Sequence, residues 1–242
     1  MTTTGTTSFN LDLNNIIEEA FERAGSELRS GYDMRTARRS LNLLTIEWAN
    51  RGINLWTIEQ GQIAMNQGQI TYDLPVDTID LMDMVIRTQT GIEQTDININ
   101  RISVSTYATI PNKNAQGRPI QVWINRQSGA DVPNALLPAG YQTEYPQINV
   151  WPSPDQSNFY TFVYWRLRRI QDAGNGVNTQ DIPFRMLPAL VAGLAYYLSL
   201  KIPGSENRIE MLKAAYEEQW NLASSEDREK ASLRLAPRQY FN

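Results

Sequence analysis

Apolar side chains with a helical period open the chain. Between residues 13 and 24 they recur three and four positions apart, and Asn10 and Asp12 are both candidate N-caps. Residues 31 and 32 interrupt the pattern, and Asp33 is the candidate N-cap of a second stripe with the same period. The two stripes consist of Leu13, Ile16, Ile17, Ala20, Phe21 and Ala24, and of Met34, Ala37, Leu41, Leu44 and Trp48. They predict two antiparallel helices joined by a short, glycine-containing turn.

The middle of the chain has a period of two instead. Apolar and polar residues alternate in short runs that glycine, proline and asparagine clusters separate, with turns expected at Gly61, Gly68 and Pro75. Residues 103–110 are an exception and predict one short helix. The alternating runs cover residues 53–60, 82–87, 96–100, 120–124, 148–150 and 159–168. This pattern predicts an antiparallel β-sandwich or a small barrel.

Helical spacing returns after a predicted turn at residues 174–176. In the third predicted helix, Pro188 either causes a kink or marks the true beginning, and Ser205 opens a fourth helix. The apolar stretch 186–200 is too short to cross a bilayer, so it predicts a buried helix and no membrane contact. The inward residues are Leu187, Leu190, Val191, Leu194 and Leu198, followed by Ile209, Leu212, Tyr216, Trp220 and Ala223.

These patterns predict an α+β fold in four segments. Residues 1–54 form a helical hairpin after a mobile N-terminal arm, and residues 55–178 form an inserted β domain. Residues 179–225 form a second helical hairpin, and residues 226–242 form an extended C-terminal arm. Because an isolated hairpin leaves its apolar stripes in water, both hairpins are expected to join. The expected fold class is a four-helix bundle from both chain ends with an inserted antiparallel β-sandwich or barrel domain.

The composition removes much of enzyme chemistry. The 242 residues include no cysteine and no histidine, so the chain can form neither a Cys/His zinc site nor an imidazole base nor a Ser-His-Asp triad. The formal net charge is −4 and the isoelectric point is about 5.0, which gives no global basic field for nucleic acid. These features favour a structural protein without catalysis and without a cofactor.

Two carboxylate clusters are candidate cation sites. Three glutamates in the first predicted helix have spacings that place side chains on one face, and three aspartates are spaced three apart near a predicted strand. The alternatives are a solvated helix face and turn capping, since the glycine and twelve-residue pattern of a calcium loop is missing. The two sets are Glu18, Glu19 and Glu22, and Asp77, Asp80 and Asp83. No metal site is predicted from them.

Aromatic and basic clusters each allow two interpretations. The aromatic residues of the middle segment could stack on sugars in a glycosidase that uses two carboxylates, or pack in the core and interfaces. Two arginine triplets could bind phosphate or meet acidic partners across a subunit contact. The excess of 18 arginines over 4 lysines is typical of subunit contacts or of a nucleotide-composition bias. The residues are Trp123, Tyr145, Trp151, Tyr160 and Trp165, with Arg35, Arg38 and Arg39, and with Arg166, Arg168 and Arg169.

An ordered series of short motifs resembles a known family. The series runs from Tyr72-Asp73-Leu74-Pro75 through Gly117-Arg118-Pro119 to Trp151-Pro152-Ser153-Pro154. It ends with Asp181-Ile182-Pro183, which leads into an alanine- and leucine-rich helix. In this order and spacing, the motifs resemble the head-to-tail adaptor proteins of short-tailed bacteriophages, the tail tubular protein A type, over roughly residues 10–223.

The resemblance implies a structural virion protein of the tail or neck. It implies a twelve-fold homo-oligomeric ring that joins the portal protein to the tail nozzle protein, passes DNA through its lumen without specific binding, and can offer its outer surface to tail fibres. Portal or neighbouring-subunit contact is expected at Arg228, Lys230, Arg234, Arg238, Tyr240 and Phe241. Structural roles are expected for Tyr72, Leu74, Pro75, Gly117, Arg118, Pro119, Trp151, Pro152 and Pro154. The alternative is a carbohydrate-active or receptor-binding tail protein.

Overall fold

The computed structural model divides the chain into two compact units. The helical unit combines Met1–Trp56 with Ile170–Asn242, and the β unit is Thr57–Arg169. The described residues are 3, 5, 11–29, 31–52, 55–89, 91–126, 145–174 and 177–227. Asn10, residues 53–54, most of the turn predicted at 174–176 and the arm after residue 227 therefore lie outside the described residues.

The described residues are mixed α+β and form five α-helices and eight β-strands. The helices are α1 (Leu13–Ala24), α2 (Gly31–Asn50), α3 (Val104–Ala108), α4 (Leu187–Ser199) and α5 (Ile209–Glu226). The strands are β1 (Ile58–Ala64), β2 (Thr71–Asp73), β3 (Thr78–Thr88), β4 (Thr95–Asn98), β5 (Asn100–Ile102), β6 (Gln121–Asn125), β7 (Gln147–Trp151) and β8 (Tyr160–Arg168).

Helix α1 confirms its predicted apolar face. All six residues of the first stripe are buried. Asp12 is the N-cap, because its carboxylate accepts a hydrogen bond of 2.8 Å from the backbone N–H of Asn15. Gly25 ends the helix with φ of 87°, a left-handed conformation that glycine adopts without steric cost.

Helix α2 begins earlier than predicted. Gly31 and Tyr32 belong to its first turn, so the prediction that they interrupt the helix and that Asp33 is its N-cap is wrong. The Asp33 carboxylate instead lies in the first turn, where the helix dipole favours a negative charge, and it accepts a hydrogen bond from the Arg29 N–H at 3.3 Å. Glycine at the first helical residue therefore did not signal a break.

Helix α4 is the central helix of the helical unit. Pro188 lies in its first turn, so this proline marks the beginning of the helix and does not kink it. The helix packs against α1, α2 and α5, and its buried residues surround much of its circumference. Helices α1 and α2 each pack mainly on α4. One hydrophobic core contains buried residues from all of α1, α2, α4 and α5.

The β unit consists of two four-stranded sheets. Their strand orders are β1-β8-β3-β4 and β2-β7-β6-β5, and residues from both sheets form one hydrophobic core. Each sheet keeps two edge strands, so the predicted alternative of a closed barrel is wrong. The chain changes sheets at the buried Ile99, between β4 and β5, and β5 pairs with β6 in parallel, which departs from the all-antiparallel prediction.

Of the two glycines predicted as turn residues in the β unit, only one lies in a turn. Gly61 is not a turn residue, because it lies within β1 opposite Tyr164 of β8. A Cβ atom at Gly61 would lie 2.4 Å from Cζ of Tyr164, so the glycine makes room for the tyrosine ring. Gly68 does lie in a turn, with φ of 72°. The short helix predicted at residues 103–110 is confirmed as α3, with Ser103 as its N-cap.

Candidate interaction surfaces

A buried hydrogen bond connects α2 with α5. Nε1 of Trp48 donates to the hydroxyl of Tyr216 at 2.9 Å, and this hydroxyl donates to Oε1 of Glu47 at 3.1 Å. The Trp48 and Tyr216 side chains are almost completely buried, and burial raises the pKa of the Tyr216 hydroxyl. The contact joins residues from opposite ends of the chain and fixes one helix against the other.

Arg51 extends this contact toward the surface. Its guanidinium pairs with Glu47 at 2.5 Å and with Glu217 at 2.8 Å, and it lies 5.0 Å from the ring centroid of Trp220. Its hydrogen bonds to Glu217 hold the pKa of that carboxyl below its ordinary value. The hydroxyl of Tyr197 on α4 also donates to Glu47, at 2.6 Å, and burial together with this bond raises the pKa of Tyr197 to about 12.

The sequence pattern identified only half of this cluster. Trp48 and Tyr216 were assigned to the apolar stripes, while Glu47 and Arg51 carried no prediction. A usable signal was present, because a buried tryptophan or tyrosine usually needs a hydrogen-bond partner. The cluster holds α2, α4 and α5 in fixed positions and so determines which of their residues face solvent.

Two helices of the helical unit carry large apolar side chains on their solvent side. Tyr32, Leu43 and Ile46 are exposed on α2, and Met211 and Leu222 are exposed on α5. Tyr32 and Leu43 also line a groove of about 440 Å³, to which Arg39 and Lys201 contribute. Clustered exposed apolar residues of this kind are typical of protein–protein contacts.

The motif residues for which structural roles are expected lie in the β unit, at or beside β2, β6 and β7, whereas Asp181-Ile182-Pro183 belongs to the helical unit. The hydroxyl of Tyr72 accepts a hydrogen bond from the Asn66 N–H at 3.1 Å, and Leu74 is buried beside the turn in which Pro75 O accepts from Thr78 N–H at 2.9 Å. The first contact stabilises the turn between β1 and β2, and the second stabilises the passage from β2 to β3.

The later motifs are joined by backbone hydrogen bonds. Gly117 N–H donates to Ser153 O at 2.8 Å, and Gly68 N–H donates to Pro154 O at 2.9 Å. Nε1 of Trp151 donates to Asn112 O at 2.9 Å. Of the remaining motif residues, Pro119 is buried, Pro152 is half-buried and Arg118 is exposed. The segments around residues 68, 117 and 153 therefore meet in space although they are distant in sequence.

Two arginines of the second triplet, Arg166 and Arg168, lie in β8 and pair within the chain. Arg166 contacts Asp77 at 2.5 Å and Glu59 at 2.7 Å, and Arg168 contacts Glu59 at 2.6 Å. The hydrogen bond from Arg166 holds the pKa of Asp77 below its ordinary value. In the α2 triplet, Arg35 and Arg39 are exposed and Arg38 is half-buried.

Some carboxylates of the two candidate cation clusters form ion pairs with arginine. Asp80 pairs with Arg101 at 3.0 Å and with Arg126 at 3.2 Å, and Glu19 pairs with Arg23 at 2.8 Å. Within the described part of the chain, no group of three or more histidine, cysteine, aspartate or glutamate residues is placed to hold a metal ion.

Of the aromatic residues considered for sugar stacking, only Trp123 and Trp151 lie on one outward sheet face. Tyr160 is buried in the core of the β unit, and the ring of Trp123 stacks on Tyr107 with 5.3 Å between centroids. Trp151 and Trp165 are half-buried, and Tyr145 is exposed. The five side chains do not share one open surface, so this arrangement does not favour a carbohydrate site.

The contact residues expected in the C-terminal arm all lie outside the described residues. They are Arg228, Lys230, Arg234, Arg238, Tyr240 and Phe241. Among the helices that the structure describes, none is both long and apolar enough to span a lipid bilayer.

Comparison with known proteins gives one family. A search of curated proteins finds no match to the chain. The family model of the SU10 adaptor protein matches residues 12–238, which include the whole β unit and the described helices of the helical unit. The SU10 adaptor proteins are a family of phage adaptors. Because the match covers most of the 242 residues, the chain belongs to the SU10 adaptor protein family.

Proposed function

We propose that this protein is a structural subunit of a phage head-to-tail adaptor, in which copies form a ring between the portal protein and the tail nozzle protein. The observation that carries the proposal is the family match over residues 12–238, because it includes both units of the chain. The motif series that resembles the tail tubular protein A type supports the same position in the virion. A ring of twelve copies follows from that resemblance.

Surface chemistry supports a ring. A closed ring requires a heterologous interface, in which two different surfaces of each subunit meet. Exposed apolar residues lie on two helices, with Leu43 and Ile46 on α2 and Met211 and Leu222 on α5. We propose that these two surfaces meet between neighbouring copies. The core shared by α1, α2, α4 and α5 supports a four-helix bundle as the rigid element that presents them.

Charge pairing supports passage of DNA without specific binding. Each phosphate that a protein neutralises adds salt-dependent affinity, so unpaired basic rings would retard a moving genome. At least nine of the described arginines have a carboxylate partner within the chain, including Arg51, Arg87 and Arg166. This intramolecular pairing leaves less basic charge for phosphate.

Assembly with the portal protein of the same phage tests the proposal. The purified chain alone and mixed with portal rings would be compared by analytical ultracentrifugation and electron microscopy. We expect a ring of added density at one end of the portal, with several copies of this chain per portal. A chain that stays monomeric in both samples, or that cleaves host polysaccharide, would contradict the proposal.

A matched pair of variants tests the α2 surface. The double substitution L43E and I46E places two charges on the exposed side of α2, and we expect loss of ring density on the portal with an unchanged circular dichroism spectrum. The control I92E places a charge at another exposed apolar residue, in the 3-10 helical turn Gly91–Glu93 before β4. Equal assembly by L43E/I46E and by I92E would show that the α2 surface is not the interface.

A further inference from the structure

An open groove of about 560 Å³ lies between α1 and the start of α4. Leu11, Phe184, Leu187, Pro188 and Val191 provide most of its apolar lining. The Phe184 side chain is 75% exposed, although a phenylalanine in a folded chain is usually buried. The volume falls within the range of about 300–1,000 Å³ that is typical of ligand-binding sites.

The α1 side of the groove is acidic. Glu18, Glu19 and Glu22 line it together with Arg23. Glu19 pairs with Arg23 at 2.8 Å, whereas Glu18 and Glu22 are exposed and have no ion-pair partner among the described residues. An occupant that complements this groove would therefore combine apolar side chains with positive charge.

The C-terminal arm starts beside this groove. Helix α5 ends at Glu226, and the buried carboxylate of the next residue, Asp227, pairs with Arg185. Arg185 is the chain neighbour of Phe184, which lines the groove. The ion pair therefore fixes the last described residue close to the apolar end of the groove.

The residues of the C-terminal arm complement the groove in charge and in apolar character. Segment 228–242 follows Asp227 and contains four basic residues against one acidic residue, Glu229. Its basic residues are Arg228, Lys230, Arg234 and Arg238, and its large apolar residues are Leu233, Leu235, Tyr240 and Phe241. Charge and apolar character thus match those of the groove.

We propose that segment 228–242 binds the α1–α4 groove of its own chain in the isolated protein. The segment is tethered beside the groove, and a short tether gives an effective concentration on the order of millimolar. A second copy of the chain at micromolar concentration would compete poorly with this tethered segment. The inference concerns the free chain and does not depend on the proposed adaptor function.

Engineered cysteine pairs in the full-length chain test the proposal. Because the sequence has no native cysteine, the cross-linker can react only with the two introduced thiols. Asn15 lines the groove, so the variant N15C/S232C pairs a groove residue with the middle of the arm. The control L43C/S232C pairs the arm with the separate groove that Leu43 lines. Both would be treated with a short bismaleimide at low micromolar protein concentration, and products would be identified by peptide mass mapping. We expect rapid intrachain cross-linking of N15C/S232C and at least tenfold slower reaction of the control.

Neutralising Glu18 and Glu22 on the α1 side of the groove provides a second readout. Adding E18Q and E22Q to the N15C/S232C chain should slow cross-linking roughly fivefold, because each exposed ion pair contributes modestly. Equal rates for N15C/S232C and L43C/S232C would overturn the proposal. Cross-linked dimers in place of intrachain products would overturn it as well, since they would assign the arm to the groove of another copy. If N15C impairs folding, as judged by circular dichroism, L11C replaces it as the groove attachment point.

Discussion

The substitution Tyr216→Phe removes one hydroxyl group from the buried contact between α2 and α5. This hydroxyl accepts the hydrogen bond from Trp48 Nε1 at 2.9 Å and donates to Glu47 at 3.1 Å. The aromatic ring keeps its packing, so the substitution changes hydrogen bonding with little change in volume. Trp48 is fully buried and Tyr216 is 1% exposed, and the indole N–H would therefore lose its acceptor without gaining water.

The magnitude follows from the burial of the partner that remains. A buried donor left without an acceptor costs about 1–3 kcal/mol, so we expect Y216F to lower the free energy of unfolding by about 2 kcal/mol. The matched control is Tyr197→Phe, which removes a hydroxyl that donates to the same Glu47 at 2.6 Å. The Glu47 side chain is 27% exposed, and water can replace this donor. We expect Y197F to cost less than about 1 kcal/mol.

Urea unfolding measured by far-ultraviolet circular dichroism provides the assay, because the helical unit contains the four long helices. Both variants should leave the dependence of the unfolding free energy on urea unchanged and shift only the midpoint. A Y216F chain within about 0.5 kcal/mol of the original protein would refute the reasoning, since that is the range of ordinary surface substitutions. A Y197F chain that loses as much stability as Y216F would also refute it.

Two further predictions concern the same unit. The substitution Gly193→Ala would place a Cβ atom 2.8 Å from Cε2 of Tyr216, whose hydroxyl is held by Trp48 and Glu47. We expect it to lower the free energy of unfolding in urea by about 1–2 kcal/mol, although alanine has the better helix propensity. The control Gly31→Ala, which has no atom within 4 Å of the added Cβ, should be neutral or slightly stabilising. The pKa of Glu217 lies below its ordinary value of 4.5 because of Arg51, so its ion pair stabilises the fold above that pH and loses this effect as the pH falls through the lowered pKa. We therefore expect E217Q to cost up to about 1 kcal/mol at pH 7 and nothing at about pH 2, and a cost independent of pH would contradict this assignment.

The amphipathic patterns predicted the helices because each buries a single face. The inward face of α1, and that of α5 except for the half-buried Ile209, were identified from spacing alone, since a helix at the surface of a core must repeat its apolar residues every three or four positions. The predictions were weaker at Gly31 and Gly61. Glycine permits a turn without requiring one, and in β1 it was needed only because the ring of Tyr164 lies across the strand.

The sequence by itself determined that two helical segments enclose a β-type middle, and it excluded the chemistry that requires cysteine or histidine. Those conclusions depend on residue identity and on local period, which are properties of the chain before it folds. Only the tertiary structure decided that α4 is central and that the arginines of β8 pair with Glu59 and Asp77. Such pairings join residues about a hundred positions apart, and the packing of the folded chain, which local sequence does not encode, brings them together.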